Sequence, residues 1–211
     1  MKLLEPHYLI KTGEVDHADW NYRPVLGWIQ QTRFRLVTSF LKNCHYQRLL
    51  EVGYGSGIFI PELSNYCTEL YGIDVHNKYN EVQQPLEQVG VKAKLSSGTI
   101  EHTMFETNFF DCVIAISALE FVQDIDMACY EINRVLKRNG SLIVVTPGHS
   151  LILDIALKIF TGESAKKDYG DRRDSLISML LNHFSLDKQL LFPPVIGRML
   201  PVYTCLKLHP V

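Results

Sequence analysis

Leu49-Leu50-Glu51-Val52-Gly53-Tyr54-Gly55-Ser56-Gly57 is an apolar run that ends in glycine at every second position. It reads as a buried strand, from about Arg48 to Val52, entering a tight loop. Glycines accept φ > 0 and put no side chain in the way, so a ligand can lie directly against the main chain. The following Ile58-Phe59-Ile60-Pro61-Glu62-Leu63 reads as a helix reaching about Tyr66, with Pro61 tolerated in its first turn. Strand, loop and helix form a nucleotide-type cradle whose N–H groups face the ligand. Such a loop alone also serves as a plain sharp turn. The next unit narrows the choice: Glu69-Leu70-Tyr71-Gly72-Ile73-Asp74 is a second strand closing on an acid about 20 residues past the loop. That spacing suits a carboxylate accepting hydrogen bonds from a ribose diol. A dinucleotide fingerprint would need its last glycine at Ile58, and the spacing here is G-x-G-x-G.

Outward from this core, the chain of 211 residues fits one domain, 46% hydrophobic with a formal net charge of −2, which places it among ordinary globular proteins. No strong basic field points to nucleic acid. Cys44, Cys67, Cys112, Cys129 and Cys205 are an odd set without C-x-x-C or metal-ligand spacing to histidine, so no metal site is expected. Reduced thiols and the absence of a signal-like apolar region after Lys2 point to the cytoplasm. No apolar run reaches the length of a membrane span.

Residues 1 to about 22 read as irregular or short helical, and apolar residues at Leu26, Ile29, Phe34, Val37, Phe40 and Leu41 predict an amphipathic helix over Pro24–Lys42. Further units are a strand near Glu69–Ile73, a polar helix near Asn77–Val89 ended by Gly90, and a strand over Val91–Leu95. After a loop from Ser96 to Thr107, an apolar strand over Asp111–Ile116 reads as buried on both faces. A helix over Ile125–Lys137, capped by Asp124 and stopped at Asn139-Gly140, leads to a strand over Ser141–Thr146. A helix near Asp171–His183 precedes two runs, Leu186–Phe192 and Val202–Leu208, that suit an antiparallel pair. Repeated strand–helix units predict a parallel α/β sheet, with ligands beyond the carboxyl ends of its strands. Gly53 to Gly57, Asp74, Thr99, Ser117 and Pro147 to His149 all fall on that edge.

Glu51-Val52-Gly53-Tyr54-Gly55-Ser56-Gly57, with Gly72-Ile73-Asp74-Val75, Phe110 to Ala115 and Leu136 to Val144, resembles the class I S-adenosylmethionine-dependent methyltransferases, specifically their small-molecule, type 11-like branch. Their first motif reads [D/E]-x-G-x-G-x-G, and the resemblance covers about residues 47 to 208. It implies a Rossmann-like three-layer sandwich whose mostly parallel seven-stranded sheet carries an antiparallel C-terminal strand. It also implies that residues 1–46 form a helical lid over a core of 47–211, within a single domain. By the same resemblance Gly53, Gly55 and Gly57 accommodate the methionine part of S-adenosylmethionine, with Tyr54 among them and Glu51 supporting the loop. Asp74 binds the ribose, Val75 and Ile100 flank the adenine, and Ser117 contacts the methionine end. Relatives carry an acid in the loop that here reads Gly98-Thr99-Ile100, leaving the Thr99 hydroxyl as the polar group. Phe121 stands where they often carry histidine.

Methyl transfer is an in-line displacement, so a base is needed only when the acceptor must lose a proton. His149 is the leading candidate, beside Tyr54, Glu120 and His17. His76 and His102 lie in loops and read as solvated. His17, Trp20 and Tyr22 are candidates for the substrate pocket, against plain packing. The apolar stretch 149–160 suits contact with a lipid tail or membrane surface, against packing on the sheet. Lys166, Lys167, Arg172 and Arg173 read as a charged face or an anion attractant. The expected activity is methylation of a small-molecule or lipid-like acceptor, releasing S-adenosylhomocysteine. A non-catalytic binding or scaffold protein and an NAD(P)-dependent oxidoreductase are the alternatives, the latter disfavoured by Ile58. A nucleic-acid amino methyltransferase is disfavoured by Ser117-Ala118-Leu119-Glu120 at the end of the fourth strand, where an Asn/Asp-Pro-Pro motif would stand.

Overall fold

The computed structural model describes residues 1–14, 16–148, 172–194 and 201–211. One seven-stranded sheet contains β1 (Tyr46–Val52), β2 (Cys67–Asp74), β3 (Lys94–Ser97), β4 (Phe110–Ile116), β5 (Leu136–Pro147), β6 (Phe184–Phe192) and β7 (Tyr203–Pro210), in the order β3-β2-β1-β4-β5-β7-β6. β7 runs opposite to the other strands of the sheet, pairing antiparallel with both β5 and β6. Among the described residues the α-helices are α1 (Leu26–Leu41), α2 (Ile60–Leu63), α3 (Tyr79–Gln88), α4 (Ile125–Val135) and α5 (Arg172–His183). The order reverses between β1 and β4, where a crevice forms beyond the strand ends.

Successive side chains of a strand point to opposite faces, so the sheet feeds two cores. Leu49, Ile114 and Ile143 pack with Phe34, Leu41 and Leu86 on one side; Leu50, Val113 and Leu142 pack with Ile132, Leu180 and Phe184 on the other. The three-layer sandwich predicted from the sequence is present.

Element boundaries depart from expectation where a side chain or turn intervenes. The helix expected over Ile58–Tyr66 is one α turn, α2, followed by a 3-10 turn at Ser64–Tyr66. The glycine loop consumes residues up to Phe59, and Pro61 then fixes the first helical turn. Val91 does not start β3: its N–H donates to the Leu86 carbonyl at 2.9 Å across left-handed Gly90, closing α3, and its buried side chain completes that cap. β5 starts at Leu136 rather than Ser141, because Leu136 pairs with Phe110 and Lys137 binds Asp111 at 2.6 Å. Asp124 caps α4 as expected, accepting from the Met127 N–H at 2.9 Å.

The segment between β3 and β4 is held from outside the sheet. Glu131 Oε1 accepts from the Thr103 N–H at 2.9 Å and hydroxyl at 2.8 Å, and Arg134 bridges both Glu131 oxygens. Arg134 foremost holds the Glu131 carboxyl down to about 2.

α1 begins from an unusual turn. Val25 has φ 62 and ψ −58, and the Leu26 N–H donates to the Pro24 carbonyl at 2.6 Å, which defines a three-residue γ-turn of the strained hand. A β-branched residue at positive φ costs about 1–3 kcal/mol. Val25 is 72% exposed and supplies little packing in return. Val25→Gly is therefore expected to gain about 1 kcal/mol net of the extra unfolded-state entropy, read as a higher midpoint in urea denaturation; a lower midpoint would show that the turn is unstrained.

Candidate active site

A cavity of about 800 Å³ opens at the carboxyl ends of β1, β2, β4 and β5. Its floor is the loop from Gly53 to Ser56 with Glu51, Asp74 and Ser117. Its far wall comes from α1 through Ile29, Gln30, Arg33 and Phe34, and from the N-terminal segment through Thr12, Asp16, His17 and Trp20.

The loop requires its glycines for different reasons. Gly53 has φ 73, and a Cβ there would lie 2.5 Å from the Ala118 Cβ, so the first turn admits no side chain. Gly55 has φ 51 and lines the cavity, and a Cβ there would come no nearer to another residue than 3.9 Å, to Asp16. Ser117, at the end of β4, also holds positive φ, 52, and lines the cavity. Strain held at a strand end beside a cavity is a mark of functional sites.

Glu51 is 4% exposed, on central β1 between Gly72 of β2 and Ile114 of β4. Its Oε2 has no hydrogen-bond partner. Burial, then the Asp74 charge, push its carboxyl up to about 8, while the Arg33 guanidinium pulls the other way. Arg33, stacked over the Phe34 ring at 4.8 Å, has a buried Nε that is likewise unpartnered. Both groups line the cavity with unused hydrogen-bonding capacity.

Asp74 lies at the end of β2. Its Oδ2 accepts the Gly55 N–H at 2.8 Å and its Oδ1 the His76 N–H at 3.3 Å. Both oxygens keep lone pairs for a ligand. His76 is not solvated as its loop position implied: its side chain is 9% exposed and its ring meets Tyr54 edge-on at 5.0 Å.

The other sequence candidates divide. Tyr54, Val75, Thr99 and Ile100 line the cavity, as do His17 and Trp20, whose rings stack at 4.1 Å. Tyr54 donates to the Ser96 carbonyl at 3.3 Å, and burial raises its phenol well above the ordinary value. Gly57 is not on the wall; its Cβ position would meet Val82 of α3 at 2.9 Å, so it serves close packing. Tyr22 is also off the cavity: its hydroxyl donates to the Leu4 carbonyl, tying the N-terminal segment to itself. Glu120 is buried away from the cavity wall. His149, the 149–160 stretch, Lys166 and Lys167, and the side chains of Arg172 and Arg173 lie outside the described residues. Arg33, Asp16, His76 and Glu101 were missed from the sequence. Glu101 reaches the cavity because Thr99 and His102 form a bridge that folds the loop back.

Residues 50–144 match the model of a methyltransferase domain family. Over that segment, just under half of its length, the chain is similar to methyltransferases. The chain is 31% identical over 100 residues to an uncharacterised methyltransferase, YcgJ, of Bacillus subtilis, covering 46% of this chain and 40% of the relative. It is 26% identical over 156 residues to a malonyl-[acyl-carrier protein] O-methyltransferase of Legionella pneumophila, covering 69% of this chain and 54% of the relative. The chain thus spans about half the length of the curated relatives it matches. The N-methyltransferase NodS of Bradyrhizobium japonicum, solved in complex with S-adenosyl-L-homocysteine, shares the fold with a TM-score of 0.65 at 14% identity, over 95% of this chain and 94% of that one.

The cavity offers groups of the kind that S-adenosylmethionine would need. The unpartnered Glu51 oxygen and Arg33 nitrogen match an amino-acid zwitterion, the open face of Gly55 admits close approach to backbone, and Asp74 retains acceptor capacity for a diol. Among the described residues no helix is long and apolar enough to cross a membrane.

Proposed function

We propose that the protein methylates a small or lipid-like acceptor with S-adenosylmethionine, residues 1–46 serving as a lid on a single catalytic domain. The observation that carries this reading is that Glu51 Oε2 and Arg33 Nε, both buried and without a hydrogen-bond partner, belong to residues lining the cavity together with the glycine loop. Glu51 would accept the cofactor's ammonium and Arg33 donate to its carboxylate, while Asp74 accepts from the ribose hydroxyls. Val75, Thr99, Ile100 and Ser117 remain the proposed adenine and methionine-side contacts.

S-adenosylmethionine supplies an electrophilic methyl group on sulfur. The chain's part is to fix the geometry of attack and exclude water, a contribution of about 7–11 kcal/mol in favourable cases. Ile29, Phe34, Ile116, Phe121, Val122 and Tyr203 give the remaining wall an apolar and aromatic character suited to an acceptor of that kind. Where that acceptor must lose a proton, His17, which lines the cavity, would take it. Tyr54 is unsuited, because its raised phenol stays protonated at neutral pH.

S-adenosylhomocysteine at about 100 times its Kd adds about 2.7 kcal/mol of stability. For a chain of 211 residues this raises the melting temperature by about 5–10 °C. Scanning calorimetry with 1 mM ligand tests it, and an unchanged melting temperature rejects the reading.

A further inference from the structure

Gly55 sits at the centre of the loop, and both sides of it are held by β2's terminus. Its N–H donates to Asp74 Oδ2 at 2.8 Å, and its carbonyl accepts from His76 Nε2 at 3.1 Å. The tautomer follows from the third contact. The Lys78 N–H points at His76 Nδ1 at 3.1 Å, and an N–H can only be accepted there, so Nδ1 carries no proton and Nε2 carries it. The single ring proton is then committed to Gly55, since the Asp74 Oδ1 stands farther away at 3.9 Å. The ring is fixed in turn by Tyr54, edge-on at 5.0 Å, and by its burial.

Glycine has no side chain to restrict φ and ψ, so a glycine held at φ 51 depends on its partners for that conformation. We infer that His76 is a positioning residue for the cofactor loop: by holding the Gly55 carbonyl opposite the Asp74 clasp on its N–H, it pre-forms the backbone surface on which the ligand lies. This rests on the proposed cofactor reading for its effect on affinity, though not for the clasp itself. Pre-organisation lowers the ordering cost of binding. Loss of the His76 contact is expected to weaken S-adenosylhomocysteine about fivefold to tenfold, the equivalent of one hydrogen bond.

The conservative variants separate the two ring nitrogens. Gln at 76 places an N–H donor near the position of Nε2, whereas Asn places an acceptor near Nδ1. His76→Gln should keep near-native affinity in titration calorimetry with S-adenosylhomocysteine, and His76→Asn and His76→Ala should both lose it fivefold or more. Amide hydrogen exchange on the ligand-free protein gives the second readout: Gly55 should stay protected in wild type and His76→Gln and exchange at least fivefold faster in the other two. Imidazole ¹⁵N shifts should report the Nε2–H tautomer. Equal behaviour of the Gln and Asn variants, or an Nδ1–H tautomer, overturns the inference. Wild-type protein that binds no S-adenosylhomocysteine while showing the exchange pattern overturns the cofactor reading and leaves the clasp established.

Discussion

Asp74→Ala is expected to weaken S-adenosylhomocysteine binding at least 100-fold while leaving the fold intact. The carboxylate has two tasks. It clasps the Gly55 N–H at 2.8 Å, and in the proposed complex it accepts from the ribose diol. Hydrogen bonds to a charged group contribute about 1.5–3 kcal/mol each, so losing both reaches a hundredfold readily. The fold should survive because Asp74 ends a strand whose core residues, Leu70 and Ile73, are untouched. Asp74→Asn, which keeps one acceptor oxygen, should fall between. Titration calorimetry decides; an Ala variant within fivefold of wild type would place the ribose elsewhere.

The second large effect concerns Glu51 and has opposite signs for stability and for binding. Its carboxyl is pushed up to about 8, above the ordinary 4.5 of the unfolded chain. The folded protein therefore binds the extra proton between those values, and the native state loses stability as pH rises from about 4.5 to 8. Glu51→Gln removes the ionisation. At pH 8.5 the ligand-free variant should be more stable than wild type by about 2 kcal/mol, or about 4–8 °C. Below about pH 4, where Glu51 is protonated in the folded and the unfolded chain alike, the two should melt alike. A cofactor ammonium requires the ionised form, so in wild type affinity should rise with pH between 7 and 8 and about one proton should be released on binding at pH 7, measurable by calorimetry in buffers of different ionisation enthalpy. The variant should bind at least tenfold more weakly and release none. A variant that melts below wild type at pH 8.5 would mean that Glu51 is ionised and well solvated in the free protein.

The sheet was legible because its signals are local and mutually consistent. Alternating glycines, apolar strands of five to seven residues and an acid at the second strand's end each pointed to the same edge. The errors lie where a boundary depended on a distant partner. Nothing near Leu136 announces that Phe110 will pair with it, and Gly90-Val91 reads as a stop and a strand until Val91 is seen closing α3. In the site, Gly53, Gly55 and Asp74 stood out by type and spacing, and Glu51 through the motif that carries the resemblance. Arg33 did not, although a signal existed: it lies four residues after Ile29 and four before Val37, a charge on the inward stripe of an amphipathic helix. Tyr22 was misplaced because an aromatic near a pocket-forming segment gives no hint of which way it turns; the Leu4 carbonyl settles that. His76 was undervalued because loop membership predicts exposure, and a ring that accepts from Lys78 while donating to Gly55 is drawn inward by both bonds.

The turn at Val25 bears on the cavity as well as on stability. α1 carries Ile29, Gln30, Arg33 and Phe34 to the cavity, so the strained residue stands at the root of one of its walls. Four lining side chains share a single anchor in that turn, and their common placement depends on where the helix starts. Relaxing the anchor in Val25→Gly should therefore alter S-adenosylhomocysteine affinity in titration calorimetry along with the urea midpoint.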